Sequence, residues 1–151
     1  MRYGPGGWEG VQSEPLSTGT LVPVCAPSLL ARAGGDLNRL LADNRRIQSA
    51  ASNEWRHWAE AAGVDLARVT PTYIMEEFTV AISGALAGEG LALSPDILVM
   101  DRIRRGELVQ FSPTSVRTGY CYHVVHTTSA LRRPFVAQVI AWLREEAAGA
   151  P

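Results

Sequence analysis

Lysine is absent from this 151-residue sequence, and all 14 of its basic side chains are arginine. That bias reads as genomic base composition and carries no function of its own. Against 15 acidic residues the formal net charge is -1. A basic excess is therefore also lacking, and nothing here supports direct nucleic-acid binding by this segment, which needs clustered positive charge to neutralise phosphates. Cysteine is scarce: Cys25 and Cys121 stand far apart, which argues against a disulfide scaffold and favours a reducing, cytoplasmic setting. The first ten residues are polar and glycine-rich with no apolar run, so no signal peptide is expected there. No stretch approaches the roughly 20 apolar residues that span a bilayer, so no membrane association is expected. There is no internal repeat, no low-complexity tract, no Gly-x-Ser-x-Gly elbow, no phosphate-binding glycine loop with lysine and no His-Glu-x-x-His. His57 has no evident nucleophile partner in sequence, and the chain is not read as an enzyme.

What is present is a 46% hydrophobic content, enough for one core or two small lobes. Residues 1–20 read as loop, punctuated by Gly4, Pro5, Gly6, Gly7, Gly10, Pro15 and Gly19. Leu21 to Cys25 reads as a strand that Pro23 confines to an edge or crossing position. Asp36 can cap a short helix carrying Leu37, Leu40 and Leu41. Ser52 or Asn53 can cap the next, with Trp55, Trp58, Ala59 and Ala62 at helical spacing and Gly63 as its stop.

Thr70 to Ile74 reads as a strand broken by Pro71. Glu76 to Ala87 reads as a helix with Glu76 and Glu77 in the first turn, where the helix dipole favours carboxylates by ~0.3–1 kcal/mol. Leu91 to Leu93 follows as a buried strand. Pro95 opens another helix from its first turn, carrying Ile97, Leu98 and Ile103. Leu108 to Phe111 and Tyr120 to Val125 are strands, and the last helix begins at Pro134. The order β-α-α-β-α-β-α-β-β-α implies an α/β fold with mostly parallel pairing.

Several clusters have ordinary readings. Strand alternation puts Cys121 and His123 on one face and His126 on the other, so a metal site is not expected. Trp55 and Trp58 read as core or interface. Arg104-Arg105 and Arg132-Arg133 are pairs too short for a nucleic-acid patch.

Four segments, in order, carry a more specific pattern. They are Arg2-Tyr3-Gly4 with Gly6, Gly7, Trp8 and Gly10; Leu21-Val22-Pro23-Val24-Cys25-Ala26-Pro27 with Leu29 and Leu30; Ala85 to Pro95 followed by Gly106-Glu107-Leu108-Val109; and Tyr122 to Val125 followed by Pro134-Phe135 and Ala141-Trp142-Leu143-Arg144-Glu145-Glu146. Together they resemble the effector-binding region of LysR-type transcriptional regulators, in the branch of the glycine-cleavage activator and the β-lactamase regulator. The family's winged helix-turn-helix, its linker helix and the first half of its first regulatory lobe have no counterpart. Met1 falls where the family carries an ordinary hydrophobic residue before Arg-Tyr-Gly. Two readings follow, an internal codon taken for a start or a truncated gene.

The resemblance implies a two-lobed α/β fold like the type 2 periplasmic binding proteins, with the first lobe incomplete. Residues 1–18 and 124–151 would be the remnant of lobe I, and residues 19–123 lobe II. It implies a small-molecule effector in the cleft between lobes, no cofactor, a homo-oligomer, and DNA contact only through the missing N-terminal domain. Three stretches should line the cleft: Arg2, Tyr3 and Gly4 at the end of a first-lobe strand; Met75, Glu76, Glu77 and Phe78 at a strand end and helix N-terminus; and Tyr122, at the position of an effector-contacting tyrosine. Each also has a plainer role: Arg2 as a solvated residue, the two glutamates as dipole partners, Phe78 as core and Tyr122 as sheet packing. Glu76 and Glu77 would repel an anion, so a neutral or amine-bearing effector is expected.

A transporter's solute-binding protein shares this fold and is the alternative, disfavoured by the missing export signal and the regulator-like tail. A small α/β enzyme with a site at Glu76 and Glu77 is a third class. The final helix, with Phe135, Val139 and Ile140, lacks the early lobe strands it should cover, so the isolated chain is expected to self-associate or to be poorly soluble.

Overall fold

In the computed structural model, the described residues are 1–49, 53–66, 73–75 and 77–148. The strands are β1 Arg2–Gly4, β2 Gln12–Pro15, β3 Thr20–Cys25, β4 Arg46–Ser49, β5 Tyr73–Met75, β6 Leu91–Pro95, β7 Val109–Gln110, β8 Val116–Arg117 and β9 Cys121–His126. The helices are α1 Pro27–Arg32, α2 Leu37–Asp43, α3 Glu54–Ala62, α4 Phe78–Leu86, α5 Asp96–Arg104 and α6 Pro134–Ala148. They group into two compact units. Unit 1 joins Met1–Thr20 to the chain from Arg117 onward, and unit 2 is Leu21–Val116. The lobe boundaries expected from the sequence fell at 18/19 and 123/124; the compact units divide at 20/21 and 116/117, and the whole of β9 lies in unit 1.

Unit 2 is built on a sheet in the order β5-β4-β6-β3-β7, with β8 also joined to β3. Alternation along its strands feeds two cores. Leu21, Cys25, Leu91 and Leu93 project to one side, where Leu29, Leu40, Leu41, Trp55 and Trp58 from α1, α2 and α3 cover them. Val22, Val24, Ile47 and Ala92 project to the other, under Ala81, Ile82 and Ala85 of α4 and Val99 of α5. A strand buried on both faces reads as a continuous apolar run, which is the pattern of Leu21–Cys25. The indole N–H groups of the two core tryptophans are satisfied by the Ile47 carbonyl at 3.0 Å and the Thr114 carbonyl at 2.9 Å.

Local signals set several boundaries as expected. The Asp36 carboxylate accepts the Arg39 N–H at 3.0 Å and caps α2. Gly63 adopts φ 68°, and the next amide, Val64, closes onto the Ala59 carbonyl at 2.9 Å, ending α3. Asn53 occupies the N-cap position of α3 but its side chain makes no capping bond there, and Ser52 lies outside the described residues.

Other expectations are corrected. The sheet is mixed and not mostly parallel: β4 runs parallel to β5 and β6, whereas β3 runs antiparallel to β6 and β7. Helix-strand alternation alone does not fix direction, because β3 enters the sheet against its neighbours. Of the two places expected for Pro23, an edge or a crossing strand, the edge is excluded, since β3 lies between β6 and β7; β3 does begin at Thr20, where unit 1's first segment ends, and continues into unit 2. The Pro23 carbonyl accepts the Phe111 N–H at 3.2 Å, one residue beyond the end of β7. A residue's N and C=O face the same side of a strand, so the missing donor falls where the β7 ladder has ended. Residues 1–20 are not all loop, since β1 and β2 form within them.

Glu77 is the extended N-cap residue of α4 and not a first-turn residue, and Glu76 lies outside the described residues. Of the strand expected at Thr70 to Ile74, positions 70–72 lie outside the described residues; the strand observed is Tyr73–Met75. Pro95 ends β6 and serves as the N-cap residue of α5, one position before the helix.

Unit 1 is a three-stranded antiparallel sheet, β1-β9-β2. Tyr3 lies opposite Tyr122, Arg2 opposite His123 and Gly4 opposite Cys121. On the other side of β9, Glu14 lies opposite Val124 and Gln12 opposite His126. Helix α6 buries Ile140 and half-buries Val136, Leu143 and Ala147. Its Arg144 guanidinium bonds the Glu14 carboxylate, tying the helix to the sheet face that carries Glu14.

Candidate functional site

Strand alternation divides the unit 1 candidates between the two faces of the sheet. Tyr3 and Tyr122 share one face as a directly opposed pair, with ring centroids 5.2 Å apart. Tyr120, two residues before Tyr122 and half exposed, adds a third ring 6.2 Å from Tyr3. The sequence reading passed over Tyr120, although i, i+2 spacing from Tyr122 was the signal that would have found it. Three tyrosines on one face offer flat apolar surface and phenolic groups that both donate and accept.

Arg2 and Gly4 belong to the opposite face. There the Arg2 guanidinium lies 4.4 Å from the centre of the Trp8 ring. Trp8 in turn meets the buried His123 ring edge-on, with centroids 5.2 Å apart. The close approach at Gly4 is made by Trp8: a Cβ there would lie 2.7 Å from the indole. At Gly6, φ is +81° and a Cβ would lie 2.8 Å from His123 Nε2, so the loop closes over this face only with glycine. Arg2 and Tyr3, adjacent in sequence, are thus not brought to the same surface of the sheet.

On the tyrosine face, the Glu14 carboxylate takes bonds from Arg144 and from His126 Nε2 at 3.4 Å. The Arg144 guanidinium, more than any other group, holds the Glu14 carboxyl below the usual carboxylate range. His123 Nδ1 is 3.0 Å from the Cys121 carbonyl oxygen and His126 Nδ1 3.2 Å from that of Thr127. Among the described residues no three metal-ligating side chains converge.

In unit 2, Met75 ends strand β5, and Glu77 and Phe78 open α4. The Glu77 side chain is exposed and accepts the Thr79 hydroxyl at 3.2 Å, while its carbonyl takes the Val80 and Ala81 N–H groups at 3.2 Å each. Phe78 is half-buried against the tryptophan-containing core, consistent with its apolar spacing. An open depression of about 530 Å³ lies beside α2 and the turn after α3, among Asn38, Arg39, Leu41 and Val64. It includes none of the predicted site residues.

Known proteins with this pattern place it. The family described as the LysR substrate binding domain matches residues 1–148. The HTH-type transcriptional activator AmpR of Rhodobacter capsulatus is 35% identical over 126 residues, covering 81% of this chain and 41% of that protein. The glycine cleavage system transcriptional activator of Escherichia coli is 28% identical over 134 residues, covering 85% of this chain and 43% of the activator. The chain therefore spans about half the length, or less, of these curated relatives. Among solved structures, the AmpR effector domain of Pseudomonas aeruginosa superposes with a TM-score of 0.78 at 24% identity, covering 97% of this chain and 70% of that one. The AmpR effector binding domain of Citrobacter freundii gives 0.80 at 19% identity, covering 98% and 73%. These last two likenesses bear on the fold alone, and the fold is the two-lobed α/β effector-domain type expected from the sequence. By the match over residues 1–148, this chain belongs to the LysR substrate-binding domain family.

Proposed function

We propose that this chain is the small-molecule-sensing part of a transcriptional regulator, acting on DNA through a domain outside this sequence. The observation that carries the reading is the family match over residues 1–148, joined to relatives that are named transcriptional activators. The role is binding and not catalysis, in the cytoplasm, within a homo-oligomer. Among the described residues, no helix is long and apolar enough to cross a membrane. Unit 1 corresponds to regulatory lobe I and unit 2 to lobe II.

Arg2, Tyr3, Gly4 and Tyr122 contribute effector contacts from unit 1, and Met75, Glu76, Glu77 and Phe78 from unit 2. The opposed Tyr3–Tyr122 pair supports the first group, with Tyr120 added to it. Arg2 and Gly4 lie on the opposite, Trp8-packed face of β1, so their contacts are made from that side of the strand. The exposed Glu77 carboxylate beside half-buried Phe78 supports the second group. Carboxylates here disfavour an anion and favour a neutral or amine-bearing effector. Effector binding changes regulation only if it distinguishes two conformations of the whole regulator.

The test is a thermal-shift screen of this chain against free amino acids, polyamines and dicarboxylates, followed by calorimetry. Amine-bearing compounds are expected to raise Tm, and Tyr122→Phe and Glu77→Gln to weaken binding of the best compound about tenfold each. Preference for dicarboxylates would overturn the ligand class. Unchanged binding in both variants would overturn the site.

A further inference from the structure

The sheet of unit 1 holds a cation against an aromatic ring on one face and sets out three rings on the other. On the first face the Arg2 guanidinium lies 4.4 Å from the centre of the Trp8 ring. On the second, half-buried Tyr3 and Tyr122 have ring centroids 5.2 Å apart, and Tyr120, 49% exposed, stands 6.2 Å from Tyr3. The two pairs are tilted by 56° and 34°, so they do not close ring face on ring face. The face of a phenol ring carries negative charge density and attracts a cation within about 6 Å of its centre.

The charged groups of this face decide which kind of cation suits it. The Glu14 carboxylate is taken up by Arg144 and His126. Arg2 is drawn to the opposite face over Trp8, and the charge of Arg144 is met by Glu14. A primary ammonium is a compact, strongly hydrated charge with three N–H donors to satisfy. Phenol oxygens are neutral acceptors, and bonds to them are roughly half as strong as bonds to an ionised acceptor. With Glu14 already bonded, a primary ammonium leaving water for this face loses more than it recovers. N-methylation removes the donors and weakens hydration while the charge, and its attraction to the rings, remains.

We infer that the tyrosine face selects a quaternary, N-methylated ammonium compound over the corresponding primary amine, and that the Tyr120 ring sets this preference. The inference rests on the reading that Tyr3 and Tyr122 contact the effector, and it narrows the amine-bearing class proposed above.

Calorimetric titration of this chain with choline and with ethanolamine, at matched ionic strength, tests it. The two compounds share a hydroxyethyl group and differ only in the methyl groups on nitrogen. Choline is expected to bind about tenfold more tightly or better. Tyr120→Leu is expected to bring the two affinities together, and Tyr120→Phe, which restores a ring, to separate them again. A ratio of two ligands on one protein is not moved by a general loss of folding, which weakens both. If Tyr120→Leu does not fold by far-ultraviolet circular dichroism, tetramethylammonium decides in its place: it should displace choline from the wild-type chain, and failure to do so overturns the inference. Ethanolamine binding as tightly as choline, and still weakened by Tyr122→Phe, overturns the inference and leaves the site standing. A choline preference that survives Tyr120→Leu overturns it as well. Binding of neither compound also overturns it, whereas the site itself falls only if Tyr122→Phe and Glu77→Gln leave the best compound of the thermal-shift screen unaffected.

Discussion

Trp58 is the side chain whose removal should cost unit 2 most. It is fully buried, its indole N–H donates to the Thr114 carbonyl at 2.9 Å, and its ring meets Trp55 and Phe111 edge-on at 5.6 and 5.7 Å. Trp58→Ala removes a large buried aromatic, which costs about 3–5 kcal/mol in transfer and cavity terms. The orphaned Thr114 carbonyl adds on the order of 1 kcal/mol, at the low end because that residue is half-buried and water can reach it in part. A unit of roughly 100 residues is stabilised by about 5–15 kcal/mol in all, so the loss is a large fraction of that stability.

Trp58→Phe keeps a ring against Trp55 and Phe111. Its loss is one hydrogen bond and the volume between indole and phenyl, together about 2 kcal/mol. Urea denaturation followed by near-ultraviolet circular dichroism should therefore rank the chains wild type, Trp58→Phe, Trp58→Ala, with the alanine variant unfolding at much lower urea. Losses below about 1 kcal/mol for Trp58→Ala would show that this core is not close-packed around Trp58, and the reasoning would fail.

Gly90→Ala should cost about 2 kcal/mol or more in urea melts, because the new Cβ would lie 2.5 Å from the Arg45 carbonyl oxygen where β6 draws alongside β4. Arg144→Ala should return the Glu14 carboxyl toward its ordinary value of 4.5, read by NMR titration, since the guanidinium is the largest cause of its lowering. A lowered folded-state value means that the pair stabilises above about pH 4.5 and loses that contribution as acid protonates Glu14; for so exposed a pair the loss is under about 1 kcal/mol. Cys25 is pushed from 9.0 up to about 11 by burial, so thiol-reactive dye at mild alkaline pH should label the half-buried Cys121 first and reach Cys25 only on unfolding. The same shift favours the folded chain below pH 9 and withdraws that contribution as pH climbs toward 11, which thermal melts of Cys25→Ser against wild type would reveal.

Elements with strong local chemistry were legible before any coordinates. Asp36 before Leu37, Gly63 after Ala62, and Pro134 at the head of a 15-residue helix each act within one turn of chain. The apolar run at Leu21–Cys25 announced a strand, but its burial on both sides was not read, because Pro23 pointed to an edge or crossing position. Short elements were not legible. Strands β1 and β2 are three and four residues long and sit in glycine-rich sequence; they exist because β9 supplies partners for both. Strand β4 begins at Arg46, directly after Arg45, and was missed because its core contribution is essentially Ile47 alone. Helix α1 hid behind Ala26 and Pro27, which make no side-chain cap.

The candidate site divides along the same line. The motif order around Arg2-Tyr3-Gly4, Ala85 to Pro95 and Tyr122 was enough to point to the family, because those residue types recur in order and spacing. The opposition of Tyr3 to Tyr122, the addition of Tyr120, and the separation of Arg2 onto the Trp8 side depend on the register between β1 and β9, two strands more than a hundred residues apart. Sequence by itself determined the longer helices, the apolar strands at Leu21–Cys25 and Leu91–Leu93 and the family they belong to, since caps, breakers and periodicity act over a few residues. Only the tertiary structure decided strand direction, the interior place of Pro23 and the side of the sheet each tyrosine occupies. Those depend on which distant strands pair, and a one-residue change of register would reverse every face.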